Sequence, residues 1–204
     1  MALLFAKNNS LSAVTALPAS VSGGGLNLIS SQTASSSTTI SFTSGIDSTY
    51  DQYIFKFINI NAGTSDTRLE LKGSTNTGSS YGITKTTTAF QVSHGEDDSY
   101  TAFAYVTSSD LAQSTSGQRI LNQGMGNSAD DNLSGEMFLF NPSSTSFVKH
   151  FIIRTIQNDK NPGANDSFIA GYFNTTSAID AIQFKMNSGN IDSGSIKLYG
   201  IKDS

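Results

Sequence analysis

Apolar and polar residues alternate in this chain from Leu26 almost to its last residue. In "TTISFTS", for example, Ile40 and Phe42 fall on one side and threonine and serine on the other. A period of two is typical of half-buried β-strands, whereas a helical period is nearly absent after residue 25. Parallel strands would need helical crossovers between them, so we predict antiparallel sheets.

Gly, Asn, Asp and Ser residues separate roughly ten such runs, the spacing expected of a sandwich or barrel. The run "TYDQYIFKFINI" is apolar on both faces and is therefore predicted to be a central strand. One face would carry Tyr53, Phe55 and Phe57, and the other Ile54, Lys56, Ile58 and Ile60. The predicted fold is all-β, an antiparallel two-sheet β-sandwich of jelly-roll type.

The last run, "IQFKMNSGNIDSGSIKLYGIK", has two alternating segments on either side of turn-forming residues. We predict that these segments form a closing hairpin of the sandwich, since a terminal strand held in a sheet is an ordered terminus. The residues expected to reach the core are Ile182, Phe184, Ile196 and Leu198.

Residues 1–25 differ from the rest and are predicted to be an N-terminal arm with a Gly-rich hinge, preceding a β-sandwich domain at 26–204. Ser10 is suited to cap one or two helical turns before Pro18, and Gly23 to Gly25 end regular structure. An arm with this many apolar side chains is expected to dock on its own domain or on a neighbour. The candidate partner-binding residues are Leu3, Leu4, Phe5, Leu11, Val14 and Leu17.

The composition excludes several classes of function. Charged residues are only 14% of the chain, and the net charge of -4 gives no basic surface for nucleic acid. The chain has no cysteine and hence no disulfide or thiolate metal site. No run approaches the roughly 20 apolar residues of a membrane span, and the apolar start is too short for a secretory signal. We expect neither nucleic acid nor a membrane as a partner.

Few residues are suited to catalysis. The densest polar cluster is "HGEDD", where Glu96, Asp97 and Asp98 offer oxygen ligands for a hard cation, although a solvated loop is the favoured interpretation. His150 lies in an apolar run without a nucleophile or orienting acid beside it, which favours a packed or interface histidine. We predict a protein that is not an enzyme and has no cofactor, metal or catalytic residue.

Two stretches resemble a family of small structural proteins of tailed bacteriophages, particularly marine ones. They are "LPASVSGGGLNLISSQTASSSTTISFTSGIDSTYDQYIFKFINI" and the closing "AIQFKMNSGNIDSGSIKLYGIK", together about a third of the chain. The resemblance implies a virion component that is assembled in the host cytoplasm. The middle of the chain, residues 61–177, shows no such resemblance.

The leading hypothesis is a capsid decoration or cement protein, a homo-oligomer that binds the phage major capsid protein or other virion proteins and stabilises the head lattice. The first alternative is a tail or fibre component that binds host glycan through loops such as "STNTGSSYG" and "QGMGNSADDNLSG". The second is a polysaccharide hydrolase that uses carboxylates such as Glu96 and Asp98.

Overall fold

The computed structural model describes residues 25–158 and 160–201. These residues form thirteen strands and no helix, and every strand pairing among them is antiparallel. The strands are β1 (Leu26–Thr33), β2 (Ile40–Phe42), β3 (Gln52–Ala62), β4 (Leu69–Ser74), β5 (Lys85–Gly95), β6 (Thr101–Tyr105), β7 (Leu111–Ser114), β8 (Gln118–Arg119), β9 (Leu133–Phe140), β10 (Lys149–Asn158), β11 (Gly163–Phe173), β12 (Ala181–Met186) and β13 (Ile191–Ile201). The predicted all-β antiparallel class is confirmed.

The strands are arranged in two sheets with the core between them, which confirms the two-sheet sandwich. One sheet has nine strands in the order β1-β13-β3-β9-β10-β11-β5-β6, with β7 also paired to β5. The other has four strands in the order β2-β12-β4-β8. The jelly-roll type stays a prediction, and the predicted arm lies outside the described residues except for Gly25.

Four phenylalanine rings connect the two sheets. Phe184 on β12 meets Phe55 and Phe57 on β3 edge to face, with ring centroids 5.4 Å and 5.1 Å apart. Phe42 on β2 makes a similar contact with Phe55 at 5.3 Å. Such pairs add about 0.5–1.5 kcal/mol each beyond the burial of their area. The four rings are at most 2% exposed, and they fix how the small sheet lies on the large one.

The central position of β3 is confirmed, since it lies between β13 and β9. Tyr53, Phe55 and Phe57 are buried as predicted, but the assignment of Ile60 to the opposite face is wrong. The pairing register shifts between Phe57 and Ile60, and Asn59 adopts a left-handed conformation with φ of 49°. This bulge reverses the alternation and turns Ile60 into the core, where it is 0% exposed.

The predicted closing hairpin is wrong, although the predicted burial is right. Strand β12 pairs with β2 and β4, whereas β13 pairs with β1 and β3 in the other sheet. The loop between them, residues 187–190, therefore crosses from sheet to sheet. The four expected core residues of this segment are all 0% exposed: Ile182, Phe184, Ile196 and Leu198.

Hydrogen bonds hold this crossing in place. The Asn187 amide oxygen accepts hydrogen bonds from the Thr67 hydroxyl at 2.6 Å and the Arg68 backbone N–H at 2.8 Å. The backbone N–H of Gly63 donates to the carbonyl of Asn190 at 3.0 Å. Contacts to the segment 63–68 thus determine that the chain crosses to the other sheet instead of forming a hairpin. The local sequence pattern does not reveal these contacts.

The first and last described strands lie side by side at one edge of the large sheet. In their pairing, Leu26 of β1 is opposite Ile201 of β13. Strand β1 has no strand on its other side among the described residues. Both ends of the described domain therefore leave it at one corner.

The bulge in β3 generates a stability prediction. Gly194 faces it with φ of 102°, and a Cβ there would overlap the Asn59 carbonyl and lie 2.7 Å from the Cα of Ile60. We expect Gly194→Ala to lower the free energy of unfolding by about 1–3 kcal/mol, because strain and overlap act together. Chemical denaturation measures this.

The matched control is Gly82→Ala, since a Cβ at Gly82 has no atom within 4 Å. It should change the free energy by less than about 0.5 kcal/mol. Equal effects of the two substitutions would contradict a specific role for the bulge.

Candidate partner-binding face

The large sheet is apolar on both faces. On β10, Phe151 and Ile153 point into the core and are 1% exposed, while Ile152 and Ile156 on the other side are 50% and 49% exposed. Strand β5 shows the same arrangement around its buried Ala89. Because alternate residues of a strand face opposite ways, these exposed side chains lie on the side of the sheet away from the core, which no described strand covers.

Most exposed large hydrophobic side chains of the described residues lie on this uncovered side. Nine of the eleven are there, while Tyr100 and Phe147 lie in loops. We call the surface the outer face, and its nine members are Leu26, Leu28, Ile58, Phe90, Val92, Phe103, Tyr105, Ile152 and Ile156. Exposed hydrophobic side chains grouped on one side of a folded domain favour a contact with another molecule.

An aromatic cluster lies near the β6 edge of the outer face. Phe90 stacks on Phe168 with centroids 4.7 Å apart and meets Phe103 edge to face at 5.8 Å. The guanidinium of Arg154 lies 4.8 Å above the Phe168 ring. Phe103 is 77% exposed, the largest exposure among these hydrophobic side chains. Rigid rings of this type are the residues that dominate binding energy at interfaces.

Two ion pairs cross the centre of the outer face. The Lys56 ammonium contacts the Glu136 carboxylate, and Arg154 donates to Asp166 with an Nη2–Oδ2 distance of 2.7 Å. Hydrogen bonds to Asp166 raise the pKa of Arg154 above its already high value. The four residues lie on β3, β9, β10 and β11, so their charges alternate in sign across the sheet. The apolar face thus carries a charge-neutral ladder, which we call the charge ladder.

A shallow hollow of about 540 Å³ lies beside the charge ladder. Small residues on β11 form its floor, and larger side chains form its walls, including Phe140, His150, Ile152 and Tyr172. His150 is exposed on the outer face with its ring 6.1 Å from that of Tyr172, so it is not packed in the core. The walls are mostly rings and methyl groups, which suit an apolar side chain better than a sugar.

The "HGEDD" cluster forms an exposed turn after β5. His94 Nε2 lies 3.0 Å from Asp98 Oδ1, and Asp97 accepts a hydrogen bond from the backbone N–H of Ser99. The hydrogen bond to Ser99 lowers the pKa of Asp97. Within residues 25–158 and 160–201, no three His, Asp or Glu side chains converge to hold a metal ion.

Glu70 is a carboxylate that lines a hollow, and the sequence analysis did not identify it as a candidate site residue. Glu70 lines a hollow of about 300 Å³ with Arg119 and Ser109, and burial raises its pKa. Glycoside hydrolysis needs a second carboxylate across the bond that is cleaved. Among the described residues that line this hollow, Glu70 is the only acid.

The loops considered for glycan binding use many polar groups internally. In "STNTGSSYG", the Asn76 amide oxygen accepts hydrogen bonds from the Ser74 hydroxyl at 2.7 Å and the Ser80 backbone N–H at 3.0 Å. In "QGMGNSADDNLSG", Met125 is 0% exposed and its backbone N–H donates to Thr67. These segments are therefore built mainly for structure.

No family model, curated protein or solved structure matches this chain. The six arm residues predicted to bind a partner all lie outside the described residues, and their role stays a prediction. The sequence analysis did not predict the outer face. The signal that could have indicated it is the presence of strands with apolar residues on both faces. No helix in the described part of the chain is able to span a membrane.

Two buried lysines lie on the inner side of the large sheet. Lys149 and Lys85 are the cross-strand neighbours of Phe173 on either side, and both are 0% exposed. The Lys85 ammonium donates to the carbonyl of Ile83 at 3.0 Å. The Lys149 ammonium donates to carbonyls of two chain segments next to the sheet, which satisfies groups at the strand ends.

Burial has a measurable effect on Lys85. Loss of hydration, helped by the positive charge of Lys72, lowers its pKa from 10.5 to about 8, although Glu70 acts in the opposite direction. Burial also lowers the pKa of Lys149. Since a carboxylate does not pair directly with Lys85 in the described structure, this charge reduces stability at neutral pH.

We expect Lys85→Met to increase the free energy of unfolding at pH 7 by up to about 3 kcal/mol. Between pH 8 and 10.5 the unfolded chain retains a proton on Lys85 that the folded chain has released. Stability of the natural protein therefore rises with pH in this window, and the advantage of the substitution shrinks. Denaturation at several pH values measures both.

The control is Lys185→Met, a half-buried lysine on β12. It should change stability little and leave the pH dependence as it is. A Lys85→Met protein with the same pH profile as the natural chain would show that Lys85 is not desolvated.

Proposed function

We propose that the protein is a structural subunit of a tailed-phage particle, and within that class a decoration protein that binds and reinforces the head lattice. The observation that carries the proposal is the outer face, where nine large hydrophobic side chains are exposed together. A chain of this kind is suited to function with that surface covered by another subunit.

The polar chemistry of the domain is consistent with a structural role. Several of its buried hydroxyl and amide groups bond to the backbone, as in the donation from the Thr155 hydroxyl to the carbonyl of Ile120. Its ion pairs on the outer face neutralise each other. The resemblance of the sequence ends to phage structural proteins supports the same class.

The arm supplies the attachment to the head in this proposal. Its six apolar residues, which precede a run of three glycines, would insert into the capsid lattice. Repetition of the subunit around a shell would multiply modest individual contacts, because sites held on one particle act at high effective concentration.

The two alternative functions have less support. Glycan binding would need converging polar groups, and the larger hollow is walled by rings and methyl groups. Hydrolysis would need two carboxylates that face each other across a cleft. In the described structure the hollow at this turn is lined by the sequence neighbours Glu96 and Asp97 and not by Asp98.

On this proposal the chain is present in purified virions, and gold-labelled antibodies against it mark the head and not the tail. Virions assembled without it should lose their DNA at a lower temperature than complete virions, and on dilution of salt they should fail at a higher salt concentration. If the chain labelled the tail fibres, or if virions without it were equally resistant, the decoration role would be wrong.

We further expect removal of residues 1–25 to leave a folded β-domain that binds heads at least about tenfold more weakly, a loss of roughly 1.4 kcal/mol. Thermal unfolding checks the fold, and co-sedimentation with undecorated heads measures the binding. A matched variant keeps the full length but has serine at the six apolar arm positions, and it should bind as weakly. If this variant bound heads as strongly as the natural chain, the apolar residues of the arm would not take part in the contact.

A further inference from the structure

We propose that the outer face packs against the same face of a second copy of this chain, forming a face-to-face dimer with twofold symmetry. The dimer goes beyond the particle role and does not depend on it. It would convert each large sheet from one with a single covered side into the inner layer of a four-layer assembly. The proposal is carried by the area of the face, its charge pattern and its apolar rows.

The outer face has the size that a stable dimer needs. Eight strands lie side by side from β1 to β6, which at about 4.8 Å per strand gives a width of roughly 34 Å. From His150 to Ile156, the outward side chains of β10 extend over about 20–25 Å. The resulting area of about 800 Å² per subunit equals that of a standard protein–protein interface.

The charge ladder is complementary to itself. Across β3, β9, β10 and β11 its members follow the order Lys56, Glu136, Arg154 and Asp166, so the signs are plus, minus, plus, minus. The ladder therefore has the opposite sequence of signs when it is traversed from its other end. A twofold axis parallel to the strands, between β9 and β10, places Glu136 opposite Arg154 of the partner subunit.

The same axis brings apolar residues together. Ile54, Phe138, Ile152 and Ala170 are cross-strand neighbours in one row of the outer face. The rotation places Phe138 opposite Ile152 of the partner subunit, and Ile54 opposite Ala170 of the partner subunit. It also places Leu28, at the β1 edge of one subunit, near the aromatic cluster at the β6 edge of the partner subunit.

Pairing through the sheet edge is the competing arrangement. Strand β1 is uncharged and open on one side among the described residues, which would allow two copies to join edge to edge. That arrangement would leave Phe90, Phe103 and Ile152 exposed. Face-to-face packing covers them, and sheets pack in this way at a separation of about 10 Å.

The first test is sedimentation of the full chain and of single substitutions. We expect the natural chain to be a dimer, while Ile152→Asp and Arg154→Glu each raise the dissociation constant at least about 100-fold. Arg154→Glu puts a carboxylate opposite Glu136 of the partner subunit and changes a 64% exposed side chain at the surface of the sheet. Thermal unfolding confirms that each variant is folded.

The control is Phe147→Asp, which changes a 71% exposed hydrophobic residue in the loop before β10 that is not part of any strand of the outer face. It should leave the dimer intact. The proposal is overturned if the natural chain is monomeric at about 100 μM, or if Phe147→Asp dissociates the dimer as strongly as Ile152→Asp does.

The second test distinguishes the two arrangements. Because the chain has no cysteine, Ile152→Cys introduces a single thiol for a spin label. Face-to-face packing places the two labels within about 25 Å, whereas joining at either sheet edge separates the two copies of β10 by at least about 34 Å. A distance in the longer range would overturn the face-to-face dimer.

Discussion

The contacts of Phe184 with the rings of β3 hold the two sheets together, and much of the remaining structure follows from them. They require that Phe55 and Phe57 face inward. Because neighbouring residues of a strand face opposite ways, this choice also determines which residues of the large sheet face outward. The register of β3, extended through β9, β10 and β11, thus sets both the core and the outer face.

The outer face combines hydrophobic side chains with charges that are already paired. An apolar surface alone would be a liability for aggregation, since it is attractive to many partners. The charge ladder would restrict the choice of partner, because a partner that placed charges of the same sign opposite its members would be repelled. In the proposed dimer, specificity would come from four residues, Lys56, Glu136, Arg154 and Asp166, and most of the contact area would come from their apolar neighbours.

Local alternation was sufficient to predict the all-β class, the central strand and the four core residues of the last segment, because burial on one face has a direct pattern in the sequence. It failed where contacts distant in sequence decide the outcome. Ile60 changes face because a bulge at Asn59 fits against β13, and β12 leaves β13 because Asn187 binds the segment around Thr67. The outer face was overlooked because a two-sided apolar strand was interpreted only as central, although the small sheet covers just one side.

The pairing of Leu26 with Ile201 has a consequence for how the domain is displayed. The chain continues beyond both Gly25 and Ile201, and both continuations therefore start at the same corner of the domain. In a twofold assembly through the outer face, the two corners lie at opposite ends of the sheet width, roughly 34 Å apart in projection. Such a dimer would present one pair of chain ends at each end of its width, which would allow it to bridge two neighbouring binding sites on a lattice.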